Sequence, residues 1–329
     1  MTRYVVIGAG ALGGILAAEL HDNGVDAVLV ARGAHGEAIR SGGLRIRRPH
    51  TTDVVRVPVV SGPDDIALQP DDVLVLAVKA QDVENVLQTW SWLPVTGGGV
   101  AADLPVLTLQ NGLATEDAVL RRFREVYAAT AWIAVSHLTP GEVVSPSWPT
   151  VGIVWLGPHR SGTTERAERI AADLRTARFV ATAVDEVARW KAHKLRGNVS
   201  NGLDLFTGSE ADLAEAGTQL LAELDAVYAA AGIVPIDPAA AVSDVPGLQI
   251  DAVPGHEHRR STWQSFARGA GSEVDYLNGE VVLLGRLHGV PTPVNEALQH
   301  VLGLRSASGS STDPIDVSEL LTGSLAPTH

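Results

Sequence analysis

The sequence contains no cysteine, and this absence excludes several kinds of chemistry at once. Disulfide bridges, cysteine nucleophiles, iron–sulfur clusters and cysteine-ligated zinc sites all need a thiol. The chain also has no apolar run of about 18 residues, the length needed for a transmembrane helix. Its start, Met1-Thr2-Arg3 followed by the apolar Tyr4–Ile7, has neither the long apolar region nor the cleavage site of a secretory signal. We therefore expect a soluble, cytoplasmic protein.

Basic residues are in the minority, with 25 Lys and Arg against 38 Asp and Glu and a net charge of −13. This charge opposes the approach of a phosphate backbone or an anionic lipid surface, so neither nucleic acid nor membrane is expected as a partner. Hydrophobic residues make up 45% and charged residues 19% of the chain, values typical of a globular protein. A length of 329 residues indicates two domains.

A metal site is not expected either. The run His256-Glu257-His258 suggests metal ligands by its residue types. Residues two positions apart point in different directions on a helix, and no third ligand is evident in the sequence.

The first half of the chain alternates β-branched runs with helical periodicity, which indicates a parallel sheet covered by helices. The predicted strands are Tyr4–Gly8, Ala27–Ala31, Val73–Val78 and Val106–Gln110, separated by predicted helices at Ala11–Asn23, Val83–Leu93 and Thr115–Glu125. Leu44–Arg47 and Val54–Val59 are interpreted as an inserted hairpin. Further β-rich segments are Tyr127–Val135, Glu142–Val144 and Val151–Leu156, followed by a helix at Glu165–Arg175.

From about Asp185 the pattern becomes helical, with helices predicted at Glu186–Leu205, Ala211–Ala231, His258–Arg268 and Glu273–His288. The predicted fold class is therefore α/β, a doubly wound parallel sheet in residues 1–184 followed by an all-helical domain in residues 185–305. Residues 306–329 are rich in Ser, Thr, Gly and Pro and are expected to form a mobile tail. One short helical turn at Val317–Leu321 is the alternative.

The run Gly8-Ala9-Gly10-Ala11-Leu12-Gly13 has the G-x-G-x-x-G spacing of a dinucleotide-binding turn. It follows a predicted strand and opens a predicted helix, as in a Rossmann-type domain. Gly8 permits the tight turn, Gly10 lets the backbone approach a pyrophosphate, and Gly13 allows close packing of helix on strand. A glycine-rich turn that binds no nucleotide is the alternative.

The end of the second strand indicates which dinucleotide is preferred. A carboxylate there would bind the 2′-hydroxyl of NAD, but the sequence has Ala31 followed by Arg32. Arg32 could bind the 2′-phosphate of NADP, and Lys79 at the end of the third predicted strand could supply a second cation. Both could instead be surface residues without a ligand.

Several dispersed runs resemble the ketopantoate reductase (2-dehydropantoate 2-reductase) family. They are Val6–Gly13, Val78-Lys79-Ala80-Gln81, Gln110-Asn111-Gly112, Lys194-Leu195 with Asn198, Ser261-Thr262, Glu273–Gly279, His288-Gly289-Val290 and Pro293-Val294-Asn295. The resemblance extends over most of residues 1–305.

The resemblance implies NADPH-dependent reduction of a 2-keto acid to a 2-hydroxy acid, ketopantoate to pantoate in pantothenate biosynthesis, with the substrate in a cleft between two domains. By this analogy Arg32 and Lys79 hold the 2′-phosphate, and Asn111 touches both cofactor and substrate. Lys194 is the general acid, Glu273 neighbours the nicotinamide ribose, and Asn198, Asn201 and Ser261 contact the substrate. A homodimer would fit the apolar faces expected on the helical domain.

The chemistry is consistent with these roles. Hydride addition to a ketone builds negative charge on its oxygen, which needs a proton donor or a cation. Without cysteine or a metal cluster, lysine is the natural candidate. Lys194, Asn198 and Asn201 share one face of a predicted helix and could line a cleft, although a solvated helix face has the same pattern. Ser261 could equally be an ordinary helix residue, and Glu273 could complement a helix dipole after Ser272.

The sequence departs from the family at three places. Gly202 occupies the position eight residues after the lysine, where a second asparagine is usual, and Asn201 stands one position earlier. A shift of one residue turns a helical side chain by about 100°, so Asn201 could miss the substrate. A third asparagine is absent near Ser209–Asp212, and His193 and Arg196 add polar bulk beside Lys194.

These departures leave two alternatives open. One is a relative of ketopantoate reductase that reduces a different keto acid or an imine. The other is a non-catalytic NADP(H)-binding regulator in which Lys194 is incidental. A scaffold or nucleic-acid-binding role on the same fold is disfavoured by the net charge of −13.

Overall fold

The computed structural model describes residues 2–237, 247–257, 259–269, 271–309 and 311–321. Its strands are β1 (Arg3–Ile7), β2 (Ala27–Val30), β3 (Leu44–Arg47), β4 (Thr52–Val55), β5 (Val59–Val60), β6 (Asp72–Leu76), β7 (Val106–Thr108), β8 (Val126–Trp132), β9 (Glu142–Val144), β10 (Ser147–Pro149), β11 (Gly152–Pro158), β12 (Phe179–Ala183), β13 (Phe206–Thr207), β14 (Leu248–Ile250) and β15 (Ile315–Asp316).

The helices are α1 (Ala11–Asp22), α2 (Gly33–Gly42), α3 (Val83–Trp90), α4 (Thr115–Leu120), α5 (Glu165–Thr176), α6 (Val187–Asn198), α7 (Glu210–Ala231), α8 (Ser261–Ala267), α9 (Val274–His288), α10 (Pro293–Ala307) and α11 (Ser318–Leu321). Short 3-10 helices lie at Pro63–Asp65, Ala80–Asp82, Ala101–Asp103 and Asn201–Leu205. None of the helices in the described part of the chain is both long and apolar enough to cross a membrane.

The described residues form two compact units, and neither unit is one continuous stretch. The first contains residues 2–110, 115–190 and 247–257; the second contains residues 111–114, 191–237, 259–269, 271–309 and 311–321. The predicted limits at 184/185 and 305/306 stay a prediction.

The first unit is built on an eight-stranded sheet in the order β12-β11-β8-β7-β6-β1-β2-β5. Six neighbouring strands of this sheet are parallel, namely β8, β7, β6, β1, β2 and β5. β11 pairs antiparallel with β8, and β12 pairs parallel with β11. The chain leaves β1 toward β2 on one side and returns to β6 on the other, so the strand order reverses at β1. In such sheets ligands bind at this reversal, outside the carboxyl ends of the strands.

Each central strand is buried on both faces, which explains its continuous apolar sequence. In β1, Tyr4 and Val6 pack into one core together with α1 and α5. Val5 and Ile7 pack into a second core together with α3 and α4. Helices therefore cover both faces of the sheet, and the predicted doubly wound α/β class is confirmed.

The predicted hairpin is present, but with a different end. β3 and β4 pair antiparallel, while Val59–Val60 leaves the hairpin and joins the main sheet beside β2. The sequence missed α2 because only Gly36 and Ile39 of its ten residues are buried, too few to produce a helical apolar stripe.

The second unit is mainly helical, with one buried core that joins α6 through α11. The single helix predicted over Glu186–Leu205 is wrong: α6 ends at Asn198, and a 3-10 helix follows at Asn201–Leu205. The sequence also missed α10 as a separate helix.

The chain after residue 306 contributes to this core, whereas the sequence predicted a mobile tail there. Ile315, Val317 and Leu320 are at most 5% exposed, because β15 pairs with β13 and α11 follows it. α11 corresponds to the alternative of one helical turn at Val317–Leu321. The rest of the expected tail, residues 322–329, lies outside the described residues.

Candidate active site

The glycine turn lies between β1 and α1 at the carboxyl end of the sheet. Gly8 has a φ of +112°, and a Cβ atom there would approach Val78 N to 2.8 Å. A Cβ atom on Gly13 would lie 1.9 Å from Gly8 O, so these two positions require glycine. A Cβ atom on Gly10 would meet nothing within 4 Å, so this position is open space beside the turn.

The start of α1 is suited to an anion. Gly10 is the N-cap residue, no side chain caps the helix, and its first turn has no acidic residue. Backbone N–H groups at a helix start lack intrahelical partners and carry the positive end of the helix dipole. The run Gly8–Gly13 therefore fits the pyrophosphate of a dinucleotide.

The two predicted cations follow strands adjacent to β1. Arg32 comes after β2 and Lys79 after β6, and both strands run parallel to β1, so all three carboxyl ends lie at one edge of the sheet. Ala31 is 2% exposed and places no carboxylate there. Arg32 is the N-cap residue of α2, and its exposed guanidinium makes no ion pair or hydrogen bond with the described residues. Lys79 is half-buried and precedes the 3-10 helix Ala80–Asp82.

Asn111 belongs to the second unit, although the adjacent Gln110 belongs to the first. Gly112, with a φ of +82°, packs so tightly that a Cβ atom would lie 2.3 Å from Tyr276 O at the start of α9. The buried Oδ1 of Asn111 has no hydrogen-bond partner among the described residues. An unpaired buried acceptor is costly, so this atom fits a role in binding a ligand.

Lys194 lies in the part of α6 that belongs to the second unit. Its pKa is lowered to about 8, first by burial and second by the positive charge of Lys191, while the negative charge of Glu273 acts in the opposite direction. Glu273 is 7% exposed at the start of α9. The structure thus brings together Lys194 and Glu273, which are 79 positions apart in the sequence.

Glu273 does not cap α9. The cap hydrogen bond is accepted by Ser272 Oγ from Val274 N at 3.1 Å, and the Glu273 side chain makes no cap bond. The alternative in which this carboxylate complements the dipole of α9 after Ser272 stays open, because Glu273 lies at the start of the helix. A buried carboxylate beside an ammonium group is also suited to adjusting proton affinity.

Asn201 lies beside Asn198, as expected for residues on one helix face. Its Nδ2 donates to Asn198 Oδ1 at 3.3 Å. The chain has left α6 after Asn198 and enters a 3-10 helix at Asn201. The expectation that the one-residue shift moves Asn201 away from the substrate stays a prediction.

Gly202 faces the core of the second unit. A Cβ atom there would lie 2.9 Å from side-chain carbons of both Leu298 and Leu302 in α10. An asparagine at this position would displace these leucines, which explains why the polar residue stands at Asn201.

The residues Ser209–Asp212, where the family has a third asparagine, form the start of α7. Ser209 Oγ accepts a hydrogen bond from Asp212 N at 3.1 Å and caps α7, and both residues are exposed. The departure from the family pattern here therefore coincides with a helix cap.

Ser261 opens α8, close to the 3-10 helix. The preceding residue, Arg260, donates from its backbone N to Asp204 Oδ2 and from its guanidinium to Ser200 O. Ser261 is half-buried, and its hydroxyl makes no hydrogen bond with the described residues.

The two polar residues that flank Lys194 have different surroundings. Arg196 forms an ion pair with Asp225 of α7, which balances its positive charge. Burial and the charge of Arg196 lower the pKa of His193.

Two residues that the sequence reasoning gave no role support the site. Gln110 Nε2 donates to Leu76 O at 2.8 Å and Val78 O at 2.9 Å, which fixes the loop after β6. Asn278 Nδ2 donates to Val199 O at 2.8 Å and to Asn295 Oδ1 at 2.9 Å, which fixes the chain between Asn198 and Asn201. Both stand in family-like runs, and that was the only signal of their importance.

No metal site was found. Across the described residues, no three His, Cys, Asp or Glu side chains are grouped as metal ligands. His256 contacts Ser136 Oγ at 3.2 Å, whereas His258 lies outside the described residues.

Two family models match the chain. "Ketopantoate reductase PanE/ApbA" matches residues 4–161, and "Ketopantoate reductase PanE/ApbA C terminal" matches residues 198–306. The chain belongs to the ketopantoate reductase family. The resemblance seen in the sequence is confirmed. The first match contains Arg32, Lys79 and Asn111, and the second contains Asn198, Asn201, Ser261 and Glu273, whereas Lys194 lies between the two matched ranges.

Relatives in this family are of similar length. An Archaeoglobus fulgidus protein named 2-dehydropantoate 2-reductase is 27% identical over 316 residues, covering 91% of this chain and 96% of that protein. A Mesorhizobium japonicum protein of the same name is 28% identical over 328 residues, covering 90% and 95%.

Solved structures share the fold. The PanE/ApbA family ketopantoate reductase from Ralstonia eutropha has a TM-score of 0.75 and 26% identity, covering 94% of this chain and 100% of that chain. The ternary structure of D-mandelate dehydrogenase with NADH and anilino(oxo)acetate has a TM-score of 0.74 and 22% identity, with the same coverage. At that identity the second likeness is one of fold alone.

Proposed function

We propose that this member of the ketopantoate reductase family is an NADPH-dependent reductase that converts a 2-keto acid to the 2-hydroxy acid, with ketopantoate (2-dehydropantoate) as its first candidate substrate. The observation that carries the proposal is the pairing of Lys194, whose pKa is lowered to about 8, with the buried carboxylate of Glu273. A general acid works best when its pKa lies near the working pH.

The preference for NADPH rests on the edge of the sheet. Arg32 follows β2 with a guanidinium that pairs with none of the described residues, and Ala31 leaves no carboxylate there to repel a 2′-phosphate. Lys79, on the adjacent strand end, would add a second positive charge. A guanidinium binds phosphate oxygens through paired N–H groups, which a 2′-hydroxyl cannot match.

Bound at the glycine turn, the dinucleotide would supply the hydride to the ketone carbon. Lys194 Nζ donates a proton to the ketone oxygen as negative charge develops there, so the C=O bond becomes C–OH. Lys194 is left as a neutral amine and regains its proton from water. Glu273 favours the protonated lysine and opposes the effect of burial.

Three polar groups would orient the ligands. Asn111 Oδ1 offers an unpaired acceptor to cofactor or substrate. The amides of Asn198 and Asn201 lie side by side, and Ser261 has an unpaired hydroxyl. Small polar substrates are held by a few such groups in fixed positions.

A different keto acid is the second candidate, and the cap at Ser209–Asp212 favours it. These residues form the start of α7, so the pocket lacks one of the family's usual amides. Losing one such hydrogen bond costs about 0.5–1.5 kcal/mol. A substrate with fewer hydroxyl groups would not need this hydrogen bond and would lose no binding energy.

The test is a panel of 2-keto acids and imines assayed for NADPH oxidation with the wild type, Lys194→Met and Lys194→Arg. We expect Lys194→Met to lower kcat by ~10²–10⁴-fold with NADPH affinity unchanged, because the proton is needed in the transition state. Lys194→Arg keeps a positive charge but is a poor proton donor, so kcat should also fall.

The outcomes separate the alternatives. A kcat/KM for ketopantoate near ~10⁵ M⁻¹ s⁻¹, a usual value for an enzyme on its own substrate, would establish the first candidate. A higher value for another keto acid or an imine would establish the second. NADPH binding without turnover of any member would overturn the proposal in favour of a regulator.

A further inference from the structure

Lysine is rare in this chain. Only Lys79, Lys191 and Lys194 occur, against 22 arginines. Lys79 and Lys194 already have proposed roles at the cofactor and at the substrate. Lys191 has none, although it is 4% exposed and arginine is the usual basic residue elsewhere in the sequence.

Lys191 and Lys194 lie on the same side of α6. Residues three apart on a helix are neighbours on its surface, with Cβ atoms about 5–6 Å apart. The two lysines belong to the same compact unit, and the charge of Lys191 acts directly on Lys194. A buried ammonium group is costly unless its surroundings or its function require it.

Among the described residues, other charged groups near Lys194 lie on α6, α7 and α9 and at the end of α8. Glu273 at the start of α9 is the anion that acts on Lys194, and it also acts on Arg268 at the end of α8. Arg196 on α6 is paired with Asp225 on α7. Further away, Glu280 on α9 acts on Tyr228 of α7. α6 also carries His193 and Arg189, and Arg189 pairs with Glu186. The two charges that act on Lys194 therefore have opposite sign: Lys191 lowers its pKa and Glu273 raises it.

We infer that Lys191 is a positioning residue of the active site, whose buried positive charge on the Lys194 side of α6 makes Lys194 a readier proton donor. This inference rests on the proposed function for its consequence in catalysis, but not for the coupling between the two lysines. A protonated Lys194 beside a second cation is less stable than one alone, so it releases its proton more easily. Lysine rather than arginine at 191 places this charge as a compact ammonium group.

The coupling can be measured without substrate, because the chain has only three lysines. Labelling lysine with ¹³C gives three side-chain signals for NMR, which single Lys→Arg variants assign. Lys191→Met removes the charge and keeps an unbranched apolar stem, Lys191→Gln removes the charge and keeps a hydrogen-bonding group, and Lys191→Arg keeps the charge. Circular dichroism and thermal unfolding check the fold of each variant.

The expected result is a higher titration midpoint of Lys194 in both neutral variants than in the wild type, with Lys191→Arg close to the wild type. A charge neighbour at this distance moves a pKa by roughly one pH unit or more. A folded neutral variant in which Lys194 titrates as in the wild type would overturn the inference. If Lys191→Met does not fold, the titration midpoint of Lys194 in Lys191→Gln tests the inference.

The pH profile of kcat gives the second measurement. Reduction needs protonated Lys194, so wild-type kcat falls as the pH rises through about 8, and in the neutral variants it falls at higher pH. At pH 9 the neutral variants should retain roughly five- to ten-fold more of their own maximal kcat than the wild type retains. Oxidation of the 2-hydroxy acid needs neutral Lys194 and should show the opposite displacement.

The two measurements separate this inference from the proposed function. A displaced NMR midpoint in a protein that reduces no keto acid would support the coupling and overturn the function. Keto-acid reduction with the same pH profile in wild type and neutral variants would support the function and overturn the inference.

Discussion

At the scale of single residues, the choice of dinucleotide depends on two adjacent positions. Ala31 is buried and neutral, and Arg32 presents an exposed, unpaired guanidinium at the edge of the sheet where the glycine turn lies. A carboxylate in place of either residue would repel a 2′-phosphate and accept hydrogen bonds from a 2′-hydroxyl. Selectivity can therefore reside in a side chain that contributes little to the fold.

Arg32→Ala should weaken NADPH binding by about 1.5–3 kcal/mol, the range for a hydrogen bond to a charged group, and leave NADH binding nearly unchanged. Isothermal titration calorimetry with both dinucleotides measures this difference. Arg121→Ala, at another exposed arginine of the same unit, is the matched control and should leave both affinities unchanged. Equal affinity of the wild type for NADPH and NADH would contradict the assignment of Arg32.

At the scale of elements, the end of α6 determines which amides are available. The helix stops at Asn198, and the following 3-10 helix places Asn201 beside it while Gly202 packs against α10. Asn278 supports this arrangement through its hydrogen bond to Val199 O. The amides of Asn198 and Asn201 therefore lie side by side where α6 ends.

The last described elements also stabilise the second unit. A Cβ atom on Gly208 would lie 2.4 Å from Val317, so the segment of β15 and α11 fits closely against the chain after β13. Ile315, Val317 and Leu320 are all buried in the core of this unit.

Removing residues 311–329 should therefore destabilise the second unit by several kcal/mol, since burial of each large apolar side chain contributes about 1.5–3 kcal/mol. Urea unfolding followed by circular dichroism gives the change in the free energy of unfolding. The control removes only residues 322–329 and keeps β15 and α11. If both truncations unfold at the same urea concentration as the full chain, the buried segment contributes nothing and the expectation fails.

At the scale of the whole molecule, folding and ligand binding are linked. A ligand that binds only the folded state raises the free energy of unfolding, by about 2.7 kcal/mol at a concentration 100 times its Kd. The net charge of −13 makes a generally attractive surface for anions implausible. Stabilisation by a dinucleotide must therefore come from a specific site such as the glycine turn.

NADPH at about 100 times its Kd should raise the melting temperature by roughly 5–10 °C. Gly10→Asp should abolish this increase, because the new carboxylate would occupy the open space at the turn and repel the pyrophosphate. The variant itself should fold, since the φ of Gly10 is −62° and Asp is a favourable N-cap residue. Differential scanning calorimetry with and without NADPH measures both effects, and an undiminished increase in Gly10→Asp would place the dinucleotide elsewhere.

The sequence by itself determined the class of fold and the position of the glycine turn. Both follow from local rules: continuous apolar runs form strands buried on two faces, and only glycine tolerates the backbone contacts found at Gly8 and Gly13. It also placed Arg32 and Lys79 directly after two strands, because the carboxyl ends of parallel strands share one edge. The roles of these residues stay predictions.

Only the tertiary structure decided the arrangement of the second unit. The sequence could not show that α6 would end at Asn198, or that Gly202 would pack against Leu298 and Leu302, 96 and 100 positions away. Nor could it show that Glu273 lies close enough to Lys194 to oppose the lowering of its pKa, or that Lys191 is buried on the same helix. Burial and charge proximity depend on contacts between distant parts of the chain, and local sequence patterns carry no information about them.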